Sequence, residues 1–156
     1  MTYDQVGTRR DPEDMSLPLR GASFGDAVRR YGKGYFQYSG RASKSEYWWP
    51  MLAAALVILV ILAVVAVAGA LGADGDGTPL VGVGGVVVFA VVIVYAIGAI
   101  ALTMRRLHDI DRSGWWVLAI FVAGFIPVLN IVASVAGIAI GLIDAEPAGA
   151  RFDAQS

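Results

Sequence analysis

"SGWWVLAIFVAGFIPVLNIVASVAGIAIGLI", residues 113–143, runs for 31 positions without a charged side chain. As one helix it would be about 46 Å long at 1.5 Å per residue. That overshoots a hydrocarbon core of roughly 30 Å, so the helix would have to tilt steeply or protrude. Pro127 and Asn130, both turn formers, stand near the middle of the run. A break there leaves two arms of about 14 residues, each about 21 Å long and too short to cross alone. The favoured reading is a shallow helical hairpin packed on other helices, since irregular backbone at membrane depth needs protein around it. One long third span is the alternative.

The rest of the chain supplies those other helices. Residues 47–73 and 77–104 are also free of charge, and each is longer than the about 20 apolar residues that a span requires. Charged residues are 16% of the chain, well below the soluble norm of about 25%. The expected class is an all-α membrane protein with spans at about 47–71 and 80–104 and hairpin arms at about 114–127 and 130–143. The first run is too long for a signal-peptide core, and neither end carries a lipidation signal; no cleaved leader or lipid anchor is expected. The absence of cysteine excludes disulfides, thiol chemistry and Cys-based metal sites.

Residues 1–22 read as a disordered polar tail, 23–38 as an amphipathic helix, 39–144 as the membrane domain and 145–156 as a second tail. In the amphipathic segment Phe24, Ala27, Val28, Tyr31 and Tyr35 form a helical stripe, and Ser23 with Asp26 can cap it. Arg29, Arg30 and Lys33 lie off that stripe, as suits a helix in the headgroup region. Ser43-Lys44-Ser45-Glu46 fits a capping box. Tyr47, Trp48 and Trp49 follow at the depth of an aromatic belt, and Pro50 makes a local kink plausible. "GADGDGTP" is a turn rich in glycine. Eight Lys or Arg precede the first span, none lies in that turn, and Arg105, Arg106 and Arg112 follow the second span. The positive-inside rule then places the N-terminus and the 105–112 loop in the cytoplasm, and the hairpin adds the C-terminus.

"YFQYSGRASKSEYWW" and "RRLHDIDRSGWW", with the Pro-containing apolar run, resemble a family of small bacterial inner-membrane proteins known as domain of unknown function 805. The resemblance covers about residues 24–153. Gly40, Arg41, Ser43, Glu46, Tyr47 and Trp48 occupy its first motif. Arg105, Arg106, Leu107, His108, Asp109, Arg112, Ser113, Gly114 and Trp115 occupy its second. Lys44 stands where the family usually has arginine, Pro50 is atypical, and only Arg151 and Phe152 remain of its tail motif. The resemblance implies four membrane segments with both ends cytoplasmic, and it implies no reaction.

The charged motifs admit several roles. Arginine–carboxylate pairs among Arg41, Lys44, Glu46, Arg105, Arg106, Asp109 and Arg112 would lock helix ends together, which is the preferred reading. Asp109 is the best acid for such a pair, with Arg41 the most informative partner across helices. The same arginines suit phosphate oxygens of anionic lipid headgroups. A weaker alternative is a membrane enzyme acting on headgroups, with His108 as acid or base. Neither a metal nor another cofactor is expected. Gly137 and Gly141 allow close helix approach, within the chain or in a homo-oligomer. Tyr95 and Asn130 read as interhelical hydrogen-bond formers. No charge falls mid-span, against ion-coupled transport, and the basic residues face a membrane rather than nucleic acid. The expected partners are therefore membrane lipids.

Overall fold

The computed structural model describes residues 12–71, 78–124 and 126–153, and its elements are all helical. They are α1 (Phe24–Lys33), α2 (Lys44–Leu71), α3 (Thr78–Asp109), α4 (Trp116–Gly124) and α5 (Pro127–Leu142), followed by a 3-10 turn at Pro147–Phe152. The glycine-rich turn at 72–77 lies outside the described residues, as do the first eleven and the last three.

The protein is an all-α membrane protein. With 28 and 32 residues, α2 and α3 are about 42 and 48 Å long, ample for a bilayer. Leu59, Val60, Val64, Val86, Phe89 and Val94 are each at least 60% exposed. Water would penalise an apolar surface of that extent, whereas hydrocarbon does not. α2 continues through Pro50.

Two compact units are distinguished: 51–97, and Met1–Pro50 with Gly98–Ser156. Within the first, a side chain at Gly84 would collide with Val65, so glycine permits close approach of α2 and α3 there. The second holds α1, the start of α2, the end of α3 and the hairpin.

The hairpin reading holds. Proline opens α5 at its first turn, where its missing amide costs nothing. The Asn130 side-chain amide donates to the Gly124 carbonyl at 2.9 Å, tying the end of α4 to the start of α5. The arms have 9 and 16 residues and pack against each other. The Tyr47 hydroxyl donates to the Gly137 carbonyl at 3.1 Å, and Trp48 Nε1 donates to the Gly141 carbonyl at 3.1 Å. The C-terminal half of α5 therefore lies beside the start of α2.

Two boundaries differ from the sequence reading. The cluster expected in a loop after residue 104 rides on the last turns of α3, which continue to Asp109. Asp111 ends the helix in the left-handed conformation at φ 56°. Its amide donates to the His108 carbonyl and that of Arg112 to Leu107, the paired bonds of a Schellman ending. The second difference concerns residues 12–22, which were expected in a disordered tail. Leu19 and Ala22 are buried, and the Leu19 amide donates to Glu46 at 2.9 Å. The segment orders because it satisfies buried polar groups that the folded core would otherwise leave open.

Gly137 and Gly141 are covered from within the chain. A β-carbon at Gly141 would stand 2.7 Å from the Trp48 ring. Gly141→Val should therefore lower the detergent melting temperature, at an overpacking cost of about 1–3 kcal/mol. Added Trp48→Ala should recover part of that loss; strictly additive melting shifts would mean that the two residues do not meet.

Candidate functional site: a buried arginine–carboxylate cluster

The capping box forms as the sequence indicates. The Ser43 amide donates to Glu46 Oε2 at 2.8 Å, and the Glu46 amide donates to the Ser43 hydroxyl at 3.3 Å. Glu46 does more than cap. Its second oxygen accepts from Arg30 Nε at 2.5 Å, and both side chains are buried. The remaining Arg30 nitrogens donate to the carbonyls of Asp14 at 2.6 Å, Leu17 at 2.8 Å and Pro12 at 3.3 Å. Arg30 is thus the clamp that orders the strap at 12–19. The sequence reading left it off the apolar stripe of α1, with Arg29 and Lys33 on a basic flank at the headgroups. A one-position signal exists in hindsight: Arg30 follows Ala27 by three residues and shares its buried face. Arg29 and Lys33, by contrast, are exposed and both pair with Glu13.

A second knot surrounds Asp109. Arg106 Nη1 donates to Asp109 Oδ2 at 2.5 Å, and Arg106 Nε donates to the Ile140 carbonyl at 3.0 Å. Its third nitrogen donates to the Ile143 carbonyl. A guanidinium on α3 therefore satisfies the last carbonyls of α5, where the helix dipole also favours positive charge. Arg20 and Arg41 approach the other Asp109 oxygen at 3.7 and 3.8 Å, beyond hydrogen-bond range. The Asp109–Arg41 pairing is thus a long-range one, and Arg106 is the close partner.

Arg41 is engaged elsewhere. It grips Asp153 as a fork, with Nε and Nη2 at 2.6 and 2.8 Å from the two carboxylate oxygens. The C-terminal segment closes the cluster in other ways as well. The Glu146 amide donates to the Asp109 carbonyl at 2.9 Å. A side chain at Gly149 would collide with the His108 carbonyl at 2.5 Å. Phe152 stacks on His108, with centroids 4.2 Å apart and planes 6° from parallel. The poor match of this tail to the family's motif concealed that Asp153 and Phe152 complete the site.

The other candidates have different surroundings. His108 Nδ1 lies 3.1 Å from the Gly40 carbonyl, so a neutral ring bonded there carries its proton on Nδ1. It is half-buried, packed between that carbonyl and Phe152. Arg105 is buried, 2% exposed, and its Nε has no hydrogen-bond partner among the described residues. Gly34 backs onto its guanidinium. Lys44 reaches Asp144 at 2.6 Å on the surface. That contact holds the Asp144 carboxyl below its ordinary pKa. The pair's stabilisation is present above that ordinary value and is lost as pH falls through the lowered one. Solvent screening keeps it small. Arg112 is exposed, and no ion pair forms at its guanidinium among the described residues. The two tryptophan pairs also part company: Trp49 Nε1 donates to Ala22 at 3.0 Å, while Trp115 and Trp116 are 78% and 58% exposed. No group of three or more potential metal ligands occurs among the described residues.

Breaking one side of a buried pair costs about 3–5 kcal/mol, because the other charge is left behind. Asp109→Asn should accordingly lower the melting temperature by many degrees. Asp111→Asn should change it little, since Asn tolerates the left-handed conformation and only the exposed Arg151 pair at 2.9 Å is lost. Equal losses would show Asp109 to be a solvated acid.

The model of the family described as proteins of unknown function, DUF805, matches residues 35–154. "Inner membrane protein YhaH" of Escherichia coli (strain K12) is 35% identical over 100 residues, 64% of this chain and 75% of that protein. The protein of the same name from Escherichia coli O157:H7 matches to the same extent. No solved structure matches. The chain belongs to the DUF805 family.

Proposed function

We propose that this DUF805 member is a structural and lipid-interacting protein of the bacterial inner membrane. In this reading it crosses the bilayer more than once, with the N-terminus, the Arg105–Arg112 segment and the C-terminus in the cytoplasm. The carrying observation is that the charges of the cluster close on one another. Arg30 meets Glu46, Arg106 meets Asp109 and Arg41 meets Asp153. Paired charges of this kind join helix ends and leave little freedom for proton transfer. The membrane assignment draws further support from the name of the Escherichia coli relatives. The orientation draws support from all twelve Lys and Arg lying before the first span or after the second, none of them in the turn between the spans. Lipid contact falls to the basic groups left exposed, of which Arg112 stands nearest the exposed tryptophans in sequence.

The chain has no cysteine, so each introduced one reports alone. In spheroplasts, a membrane-impermeant maleimide should label Asp76→Cys from outside. It should label Ser113→Cys and Ala154→Cys only after the membrane is opened. External labelling of Ala154→Cys would overturn the proposed orientation of the C-terminus, and protection of all three before opening would overturn the outer position of the 72–77 turn.

A further inference from the structure

The two arms of the hairpin do not fill the space between them. Trp116, Ala119 and Ala123 recur on one face of α4, and Ala133 and Ala136 oppose them from α5. Alanine reaches only one carbon from the backbone, so a groove of about 380 Å³ remains, with Leu107 and Ile110 of the α3 end in its wall. Its lining is apolar apart from one residue, Arg112. The 9 residues of α4 make its length about 13 Å.

We propose that this groove holds one acyl chain of an anionic phospholipid whose phosphate is bound by Arg112. The inference rests on the membrane reading above and adds to it a defined site and ligand class. Three observations commit it to this occupant. The groove belongs to a hairpin whose outer side chains, including Phe121, Val122, Ile131 and Val135, are exposed and apolar; hydrocarbon is the medium that surrounds such a surface. The charge at the groove's edge is a guanidinium without an ion pair among the described residues, and its fork geometry fits phosphate oxygens. Exposed Trp115 and Trp116 follow Arg112 closely, and tryptophan favours the headgroup level. Arg112, one of the groove's lining residues, is thereby set at the depth at which a phosphate sits above its chains.

Two acids lie close by. Asp111 is occupied by Arg151 at 2.9 Å. Glu146 shares a small polar recess with Asp111 and Arg112 and opposes an anion there. Arg112 thus sets the sign of the site, and Glu146 moderates its affinity.

The test uses the full chain purified from nanodiscs of equal phosphatidylglycerol and phosphatidylcholine, with retained lipid counted by native mass spectrometry. Wild type should retain phosphatidylglycerol in preference. Arg112→Ala should reduce that retention about tenfold, the loss expected for a charge-assisted hydrogen bond, with Arg112→Lys intermediate. Ala133→Phe and, separately, Ala136→Phe should reduce it by filling the groove, and Glu146→Gln should increase it. Millimolar inorganic phosphate should not displace the lipid, because it brings no chain to the groove. Melting temperature is read alongside, so that only variants folded like wild type are scored. Wild-type retention in Arg112→Ala and in both phenylalanine variants would overturn the site, as would displacement by phosphate alone or equal retention of the two lipids. Failure of the protein to stay in washed membranes would instead overturn the membrane reading on which the site rests.

Discussion

Arg106 bonds at once to its own helix, through Asp109, and to the carbonyls of Ile140 and Ile143 at the C-terminal end of α5. The local order around it depends on that triple engagement. Apolar helices in lipid gain nothing from hydrophobic burial against each other, because the surrounding chains are as apolar as they are. Specific polar contacts must then choose which helix ends meet. A guanidinium suits the task because its donors diverge in a fixed plane and it stays charged. Its isolated charge could not be tolerated there, and Asp109 makes the arrangement tolerable. Such a pair contributes more to specificity of assembly than to net stability, since desolvation offsets most of the attraction.

Aromatic donors extend the same logic towards the hairpin. Tyr47 and Trp48 spend their single polar hydrogens on carbonyls of α5. Those carbonyls belong to Gly137 and Gly141, where no side chain stands in the way. Large rings therefore pack directly against helical backbone, and one bond each fixes the register of α5 against α2. The charged knot and these two rings act on neighbouring turns, so a slip of α5 by one turn would break both sets together.

The membrane class, the hairpin break and the capping box were legible in the sequence because each is a local pattern: run length, a proline at the right distance, a serine three residues before a glutamate. Asp109 could be singled out because it stands among arginines. Its closest partner could not, since three arginines lie within reach and only the folded geometry ranks them. Arg30 was hidden by its neighbours, because Arg29 and Lys33 beside it are the solvated charges that the pattern suggests. Asp153 was hidden by distance along the chain: its partner lies 112 residues away. The strap at 12–19 was misread for a related reason. Its apolar residues follow no helical period, and what orders it is backbone bonding to Arg30, Ser43 and Glu46, which composition does not report.

The separation of Arg41 from Asp153 also has a consequence in time. Ribosomes make the chain from its N-terminus, so Arg41 is in place long before its carboxylate exists. The apolar segments emerge and meet the membrane during that interval, while the arginines at their ends remain solvated. The acid that closes the knot, Asp153, and the ring that covers His108, Phe152, are made only after those segments. The site therefore closes only after every apolar segment has been made, and a product cut short before Phe152 would lack both the acid that Arg41 grips and the ring that covers His108.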